Sequence, residues 1–243
     1  MQCNSIISEI IDRIISSKDM SSLEDCITYI RDSYELANVA YCNFSSDING
    51  GENPLLLQTY PGEWIEVYVN RSFMKTDPVV KLASKSYVPL DWSSIKRDSI
   101  EVRRFFTEVE RCSVGRQGLT VPVRGPVGDK ALFTITSHVG DKEWRTRKLD
   151  YMREFQLLSQ YVHHQVSQLC RSNLPPVRPA LSRREKECLA LMTRGLMPKQ
   201  IAGKLEISET AVRTYVRSAR FKLGCSSPTQ AVARAVSLEL IDA

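Results

Sequence analysis

The segment 181–243 carries the pattern that most restricts what this chain can fold into. Ser182 followed by Glu185 is a capping box, in which the serine oxygen accepts a free backbone N–H and the glutamate reaches back to the cap. Gly195 and Pro198 then interrupt the helical periodicity. The segment is therefore predicted to begin with one helix, make a tight turn and continue with a second short helix.

The third helix of this segment is predicted to have two different faces. Ser208 caps it, and it runs to about Leu223, where Gly224 follows. Apolar residues recur at the spacing of a buried face, and arginines form a neighbouring stripe. The two sets are Val212, Val216, Ala219 and Leu223, and Arg213, Arg217 and Arg220. Ser227 and Pro228 open a fourth helix, which predicts a compact all-α domain.

Charge is distributed unevenly along the chain. Residues 178–243 contain 12 Lys and Arg and 6 Asp and Glu, a net charge of +6, whereas residues 1–177 contain 21 and 22, a net charge of −1. An arginine stripe on an exposed helix is usually a solvated face. Arginine can also fork to the O6 and N7 of guanine or pair with phosphate. Because the excess positive charge lies entirely in the C-terminal segment, we favour DNA binding.

The remaining chain is long enough for a second domain with its own core. Residues 171–180 contain three prolines, which stop a helix and stiffen a linker. We therefore predict an N-terminal domain over 1–170, a linker over 171–180 and a C-terminal domain over 181–243. Residues 146–170 read as one long helix, whose apolar face serves either the core or a partner subunit.

Cysteine usage and hydropathy indicate the compartment. The seven cysteines are scattered, odd in number and without a C-x-x-C pair, which fits a reducing environment. The N-terminal residues read as an amphipathic helix because acids interrupt the apolar positions. No apolar run approaches the roughly 18 residues of a membrane span. We expect a cytoplasmic protein with no membrane partner.

The N-terminal domain reads as helices that bracket a small antiparallel sheet. Alternating residues on either side of Gly125–Asp129 predict a hairpin. The predicted helices are 4–17, 22–36, 62–73 and 99–113, with a strand at 38–44 and the hairpin within 118–138. The chain is therefore expected to be α+β: an N-terminal α/β/α sandwich and a C-terminal all-α four-helix domain with a helix-turn-helix.

Aromatic residues and one aspartate are the candidate binding residues of this domain. Tyr60, Trp64 and Tyr68 lie at i, i+4 and i+8 and so share one helix face. Such a stripe is usually core, but each of these rings has a polar end that needs a partner when buried. Asp77 could simply cap a helix that begins at Pro78. Local sequence leaves both alternatives open.

Catalytic patterns are missing from the sequence. The three histidines, His138, His163 and His164, do not have metal-ligand spacing. The chain also has neither a G-x-S-x-G elbow nor a phosphate-binding glycine loop. A receiver domain would show repeated βα units, unlike this order of helices and hairpin. We expect no enzyme activity, no catalytic residue, no metal and no cofactor.

The C-terminal segment resembles the LuxR-type, or GerE-like, helix-turn-helix over nearly its whole length. The residues that carry the resemblance are Leu181, Ser182, Arg184, Glu185, Glu187, Leu189, Gly195, Ile201, Ala202, Leu205, Ile207, Ser208, Val212, Lys222, Leu223, Ala231, Ala235 and Ile241. We expect DNA contacts from Thr210, Arg213, Thr214, Arg217, Arg220 and Lys222. Of these, Arg213 and Arg217 are hypothesised to approach bases, and Arg220 and Lys222 to contact phosphate.

The segment from Tyr60 to Pro78, with Trp92 and the hairpin at Gly118, resembles the autoinducer-binding domain of LuxR-type quorum-sensing regulators. The resemblance implies an N-acyl-homoserine lactone between the sheet and the helices. Trp64 would donate to the lactone carbonyl, Asp77 would accept from the amide N–H, and Tyr60 would donate to the acyl carbonyl. Thr134 would touch the amide region, while Trp92 and Tyr68 would form walls.

These resemblances together imply a quorum-sensing transcriptional regulator. It would bind its lactone signal and pseudo-palindromic promoter DNA as a homodimer, with RNA polymerase as a further partner. The alternative is a ligand-independent regulator of the same type with a vestigial or differently tuned sensor domain. Strand alternation suggests apolar candidates for the end of the acyl tail: Val39, Tyr41, Leu56 and Leu132.

Overall fold

The structure is a computed structural model that describes residues 2–44, 54–125, 129–172 and 181–242. The chain separates into two compact units. The first contains the described residues up to Gly125 and from Asp129 to Ser172, and the second those from Leu181 onward. Residues 126–128 of the predicted hairpin turn and 173–180 of the predicted linker lie outside the described residues.

The first unit contains six helices and five strands among its described residues. They are α1 Gln2–Ser16, α2 Met20–Ser33, β1 Asn38–Asn43, β2 Leu55–Gln58, α3 Gly62–Asn70, α4 Pro78–Ala83, β3 Leu90–Asp91, α5 Ile100–Arg111, β4 Gln117–Arg124, β5 Lys130–Ser137 and α6 Asp141–Ser172. Two 3₁₀ turns, Phe73–Lys75 and Trp92–Ser94, follow α3 and β3. The strands form an antiparallel sheet of order β2-β1-β5-β4-β3.

Helices cover both faces of this sheet. On one face α1, α2 and α6 pack over a large apolar core, and on the other α3, α4 and α5 enclose an aromatic cluster. Successive side chains of each strand alternate between the two cores because the period of a strand is two residues. The predicted α/β/α sandwich and the β4–β5 hairpin are confirmed.

Some element boundaries differ from the prediction. Strands β2 and β3 were not predicted, because four and two residues are too short for an alternating pattern to register. Helix α3 stops at Asn70 rather than at residue 73, since Ser72 adopts a left-handed φ of 53° that starts the 3₁₀ turn. Helix α6 begins at Asp141, five residues early, and enters the predicted linker as far as Ser172.

The second unit consists of α7 Arg183–Thr193, α8 Pro198–Leu205, α9 Glu209–Lys222 and α10 Pro228–Ser237. The predicted capping box is present: Ser182 Oγ accepts from the Glu185 N–H at 3.3 Å, and Glu185 Oε2 accepts from the Ser182 N–H at 2.6 Å. Helices α8 and α9 form the helix-turn-helix. The four-helix prediction is confirmed. Within the described ranges, no helix is long and apolar enough to cross a membrane.

Candidate functional site

A cavity of about 170 Å³ lies between the sheet and the helices α3 and α4 of the first unit. All six residues predicted for ligand binding line it: Tyr60, Trp64, Tyr68, Asp77, Trp92 and Thr134. They come from α3 and its entry, the cap of α4, the turn after β3, and strand β5. The fold thus brings together side chains that are up to 74 positions apart in the sequence.

The floor of the cavity consists of two rows of side chains across the sheet. In one row Ala40 of β1 lies opposite Thr134 of β5. In the next row Cys42 lies between Leu56 of β2 and Leu132 of β5. Burial raises the pKa of the Cys42 thiol to about 12, so this row presents a neutral, largely apolar surface. The floor can therefore accept an apolar chain.

Asp77 caps a helix and also lines the cavity. Its Oδ1 caps α4 by accepting from the N–H groups of Val79 at 2.7 Å and Val80 at 3.1 Å, so the capping interpretation is confirmed. Its Oδ2 accepts from the Tyr68 hydroxyl at 2.9 Å, and the carboxyl also lines the cavity. An ionised carboxylate has about four acceptor sites. With three in use, one acceptor site is left for a ligand N–H.

Burial sets the ionisation of this carboxyl. Asp77 is only 6% exposed, and desolvation raises its pKa to about 6 despite the opposing hydrogen bonds from Val80, Tyr68 and Val79. The carboxylate form is therefore destabilised relative to a solvated aspartate. A ligand that donates an N–H to Asp77 would stabilise the ionised form.

Two hydrogen-bond donors face the same cavity. Trp64 is 3% exposed, and its indole N–H has no hydrogen-bond partner among the described residues. The hydroxyl group of Tyr60 likewise has none in that part of the chain. Two such donors beside a carboxylate make a site suited to a ligand with carbonyl oxygens and an N–H.

Thr120 holds one wall of the cavity in place, a role that the sequence analysis did not assign to it. Its hydroxyl accepts from the Trp92 indole N–H at 3.0 Å and lies 3.0 Å from the hydroxyl of Thr134. Thr120 is fully buried on β4, opposite Thr134. The alternation of the predicted hairpin strands could have found it, because Thr120 and Thr134 lie on the same face. Thr120 fixes the orientation of one cavity wall.

Gly118 leaves the space in which Trp92 lies, because a Cβ atom at this position would overlap the indole ring. Substitution Gly118→Ala is therefore expected to displace Trp92 and to destabilise the first unit by about 1–3 kcal/mol. Urea unfolding checks this. Gly62→Ala is the matched control, since a Cβ at Gly62 would meet no atom within 4 Å. Equal stability of Gly118→Ala and the unsubstituted protein would contradict the prediction.

The residues suggested for the end of the acyl tail need a correction. Leu56 and Leu132 line the cavity. Val39 and Tyr41 do not, because they lie on the opposite face of β1 in the core under α1, α2 and α6. Ala40 and Cys42 take their place. The strand period was right, but the assignment of Val39 and Tyr41 to the cavity face was wrong.

In the second unit α9 has one packed and one exposed face. Val212, Val216, Ala219 and Leu223 are buried, as predicted. The side chains of Thr210, Arg213, Thr214 and Arg217 are exposed. Arg213 donates to Glu209 at 2.6 Å, whereas Arg217 has no ion-pair or hydrogen-bond partner in the described part of the chain. Arg217 is therefore available for an external acceptor.

Arg220 and Lys222 have contacts within the fold. Arg220 donates to the Ser226 carbonyl at 3.2 Å. Lys222 donates to Glu185 Oε2 at 2.9 Å, which joins the end of α9 to the start of α7. Burial alone would raise the pKa of Glu185, but hydrogen bonds from Ser218, Lys222 and Ser182 lower it to about 2. Any phosphate would compete with Glu185 for Lys222.

A small-molecule cavity in one unit and a helix-turn-helix in the other define the class of two-domain transcriptional regulators that respond to a signal molecule. The autoinducer binding domain family matches residues 19–166, and the family of bacterial regulatory proteins of the luxR family matches residues 179–235. The chain belongs to the LuxR family of quorum-sensing transcriptional regulators.

Relatives agree with this assignment, and a solved structure shows the same fold. Transcriptional activator protein RaiR of Rhizobium etli is 41% identical over 197 residues, which cover 80% of this chain and 81% of RaiR. The quorum sensing-dependent regulator VjbR of Brucella abortus is 32% identical over 195 residues, 77% of this chain and 74% of VjbR. The crystal structure of Escherichia coli SdiA matches with a TM-score of 0.72 at 19% identity, covering 97% of this chain and 98% of SdiA.

Proposed function

We propose that the signal of this regulator is an N-acyl-homoserine lactone bound in the cavity of the first unit. The observation that carries the proposal is the meeting of two donors without partners, on Tyr60 and Trp64, with the buried acceptor Asp77. The ligand has the complementary groups: one amide N–H, two carbonyls and an apolar tail. Thr134 faces the amide region, and Trp92 and Tyr68 form the walls.

The apolar floor determines how much of the tail is bound. The row formed by Leu56, Cys42 and Leu132 lies two residues along the strands from Ala40 and Thr134. Each buried methylene contributes about 0.8 kcal/mol, and a hydrogen bond to a charged group such as Asp77 about 1.5–3 kcal/mol. Polar groups thus set the head group, and the depth of the floor sets the chain length. A structure of SdiA contains octanoyl-rac-glycerol, another acyl ligand with a polar head.

Ligand binding acts on this regulator through linkage, without a catalytic step. A ligand at a hundredfold excess over its Kd stabilises the folded state by about 2.7 kcal/mol. In our proposal the protein acts in the cytoplasm as a homodimer, which covers Leu149 and Leu157, exposed leucines of α6. Its recognition helices α9 would then lie about 34 Å apart on a pseudo-palindromic promoter site.

Base and phosphate contacts are assigned to α9. Arg213 and Arg217 approach bases, Thr210 and Thr214 support them from the same exposed face, and Arg220 contacts phosphate. A phosphate contact by Lys222 requires exchange with Glu185. RaiR is named a transcriptional activator, which supports RNA polymerase as the further partner.

The thermal midpoint, measured against a panel of acyl-homoserine lactones of different chain lengths, tests the signal. One chain-length class is expected to raise the midpoint. Trp64→Phe removes the indole N–H and should raise the Kd of the lactone about five- to tenfold, the equivalent of about 1–1.4 kcal/mol for one hydrogen bond. The rise in midpoint should be smaller for that reason.

Trp144→Phe is the matched control for this experiment. Trp144 is also buried, but it lies in the core on the opposite face of the sheet, where its N–H contacts Asp91 at 3.4 Å. This variant should lower the midpoint of the free protein and keep the full lactone response. No rise with any lactone, in protein that still binds DNA, would favour the ligand-independent regulator instead.

A further inference from the structure

Phe221 has the most exposed large hydrophobic side chain among the described residues, at 86%. It lies in the last turn of α9, next to Lys222 and two residues before the buried Leu223. The side chain is therefore not buried in the core of the second unit. The ring belongs to neither apolar cluster of this unit, so it is available to an external partner.

The ring points the same way as the side chains assigned to DNA. At about 100° per residue, Thr210, Thr214, Arg217 and Phe221 fall within an arc of about 60° on α9. The buried residues Val212, Val216, Ala219 and Leu223 occupy the opposite side. Phe221 lies near the middle of the exposed arc, directly away from the core. We call these four residues, Thr210, Thr214, Arg217 and Phe221, the outward stripe.

The charge around the outward stripe argues for a nucleic-acid occupant. The described residues of this unit, 181–242, contain 11 Lys and Arg and 6 Asp and Glu, a net charge of +5. Arg217, one turn before Phe221, has no partner in the described chain. The apolar group that DNA presents in its major groove is the 5-methyl group of thymine, and phenylalanine is one of the side chains that contact it.

We propose that Phe221 packs against the 5-methyl group of a thymine in the major groove and so selects that base. Four residues along a helix rise about 6 Å, which is close to two base-pair steps of about 3.4 Å. The thymine should therefore lie about two base pairs from the base contacted by Arg217. This contact rests on the proposed docking of α9 through Arg213 and Arg217.

The test begins with the full-length protein, assayed both without ligand and with the panel of acyl-homoserine lactones. A binding site is selected from a pool of random duplexes, and each thymine of one half-site is then replaced singly by deoxyuridine, which lacks the methyl group. At one thymine the replacement should weaken binding about fourfold, the equilibrium equivalent of one buried methyl group. Phe221→Ala should bind the thymine duplex more weakly and should lose this fourfold preference.

Met197→Ala is the matched control, because Met197 is another exposed apolar side chain of the same unit and lies outside α9. This variant should keep the whole penalty for deoxyuridine. Since Phe221 and Met197 are both exposed, both variants should fold, which a thermal melt verifies.

Two results would overturn the contact. Phe221→Ala could retain the same deoxyuridine penalty at every thymine, or it could bind the selected site as tightly as the unsubstituted protein. In either case the selected site would still support base reading by Arg213 and Arg217. If no sequence were enriched at all, the base-reading role of those arginines would fail together with the contact of Phe221.

Discussion

Replacing Asp77 with asparagine is expected to remove most of the rise in thermal midpoint that a bound lactone produces. The carboxylate is the acceptor assigned to the ligand amide N–H, and an amide side chain halves the number of acceptor atoms. With Oδ1 already held by Val79 and Val80, the asparagine N–H₂ group would face the cavity and the Tyr68 hydroxyl. Thermal midpoints with and without lactone measure the loss.

The same substitution should change how the stability of the free protein depends on pH. Burial raises the pKa of Asp77 from 3.8 to about 6 in the folded state. Stability from this group is therefore fully present below about pH 3.8 and is lost as the pH rises through about 6. This difference in pKa between the unfolded and folded states corresponds to about 3 kcal/mol in the free energy of unfolding. In Asp77→Asn this loss should disappear.

Urea unfolding of the ligand-free protein between pH 4.5 and 7.5 measures this difference. Asp98→Asn is the control, because Asp98 is an exposed aspartate of the same unit. Parallel profiles for Asp77→Asn and the unsubstituted protein would show that Asp77 does not titrate in this range. An unchanged lactone response in Asp77→Asn would remove Asp77 from the ligand site.

Replacing Lys222 with alanine is expected to destabilise the DNA-binding unit by about 3 kcal/mol. Glu185 is 3% exposed, and the variant would leave its buried carboxylate without its ion-pair partner. Breaking a buried pair from one side costs about 3–5 kcal/mol, and the partial exposure of Lys222 places this pair at the lower end. Urea unfolding at pH 7 checks the value. A loss below about 1 kcal/mol would mean that water replaces Lys222 at Glu185.

Acid should act on this pair with the opposite sign from its effect on Asp77. The pKa of Glu185 is lowered from 4.5 to about 2 in the folded state. The contribution of Glu185 to the free energy of unfolding is fully present above about pH 4.5 and is lost as the pH falls through about 2. It amounts to about 3 kcal/mol in total. Glu185→Gln should remove this dependence. Glu206→Gln is the control, since Glu206 is an exposed glutamate of the same unit.

The helix-turn-helix could be predicted from the sequence because its signals are local. The capping box at Ser182 and Glu185, and the cap at Ser208, each act over three residues. Hydrophobic spacing then decided which face of α9 is buried. The exposure of Phe221 follows from the same periodicity, although sequence analysis did not single it out.

The cavity side of the sheet could not be assigned in full from the sequence. A strand period of two residues separates Ala40 and Cys42 from Val39 and Tyr41, but helices cover both faces and both sets are apolar or aromatic. Only the packing of α1, α2 and α6 shows which set lies in the closed core. Short strands such as β2 carry too few residues for a pattern.

By itself the sequence determined the two-domain organisation, the order of the main elements, the helix caps and the family, because these depend on local spacing and on residue identity. The tertiary structure decided the partners: the second oxygen of Asp77 with Tyr68, the hydroxyl of Thr120 with Trp92, and Lys222 with Glu185. Each of these contacts joins separate elements of the fold. Local periodicity contains no information about such contacts, because they depend on how the elements pack in three dimensions.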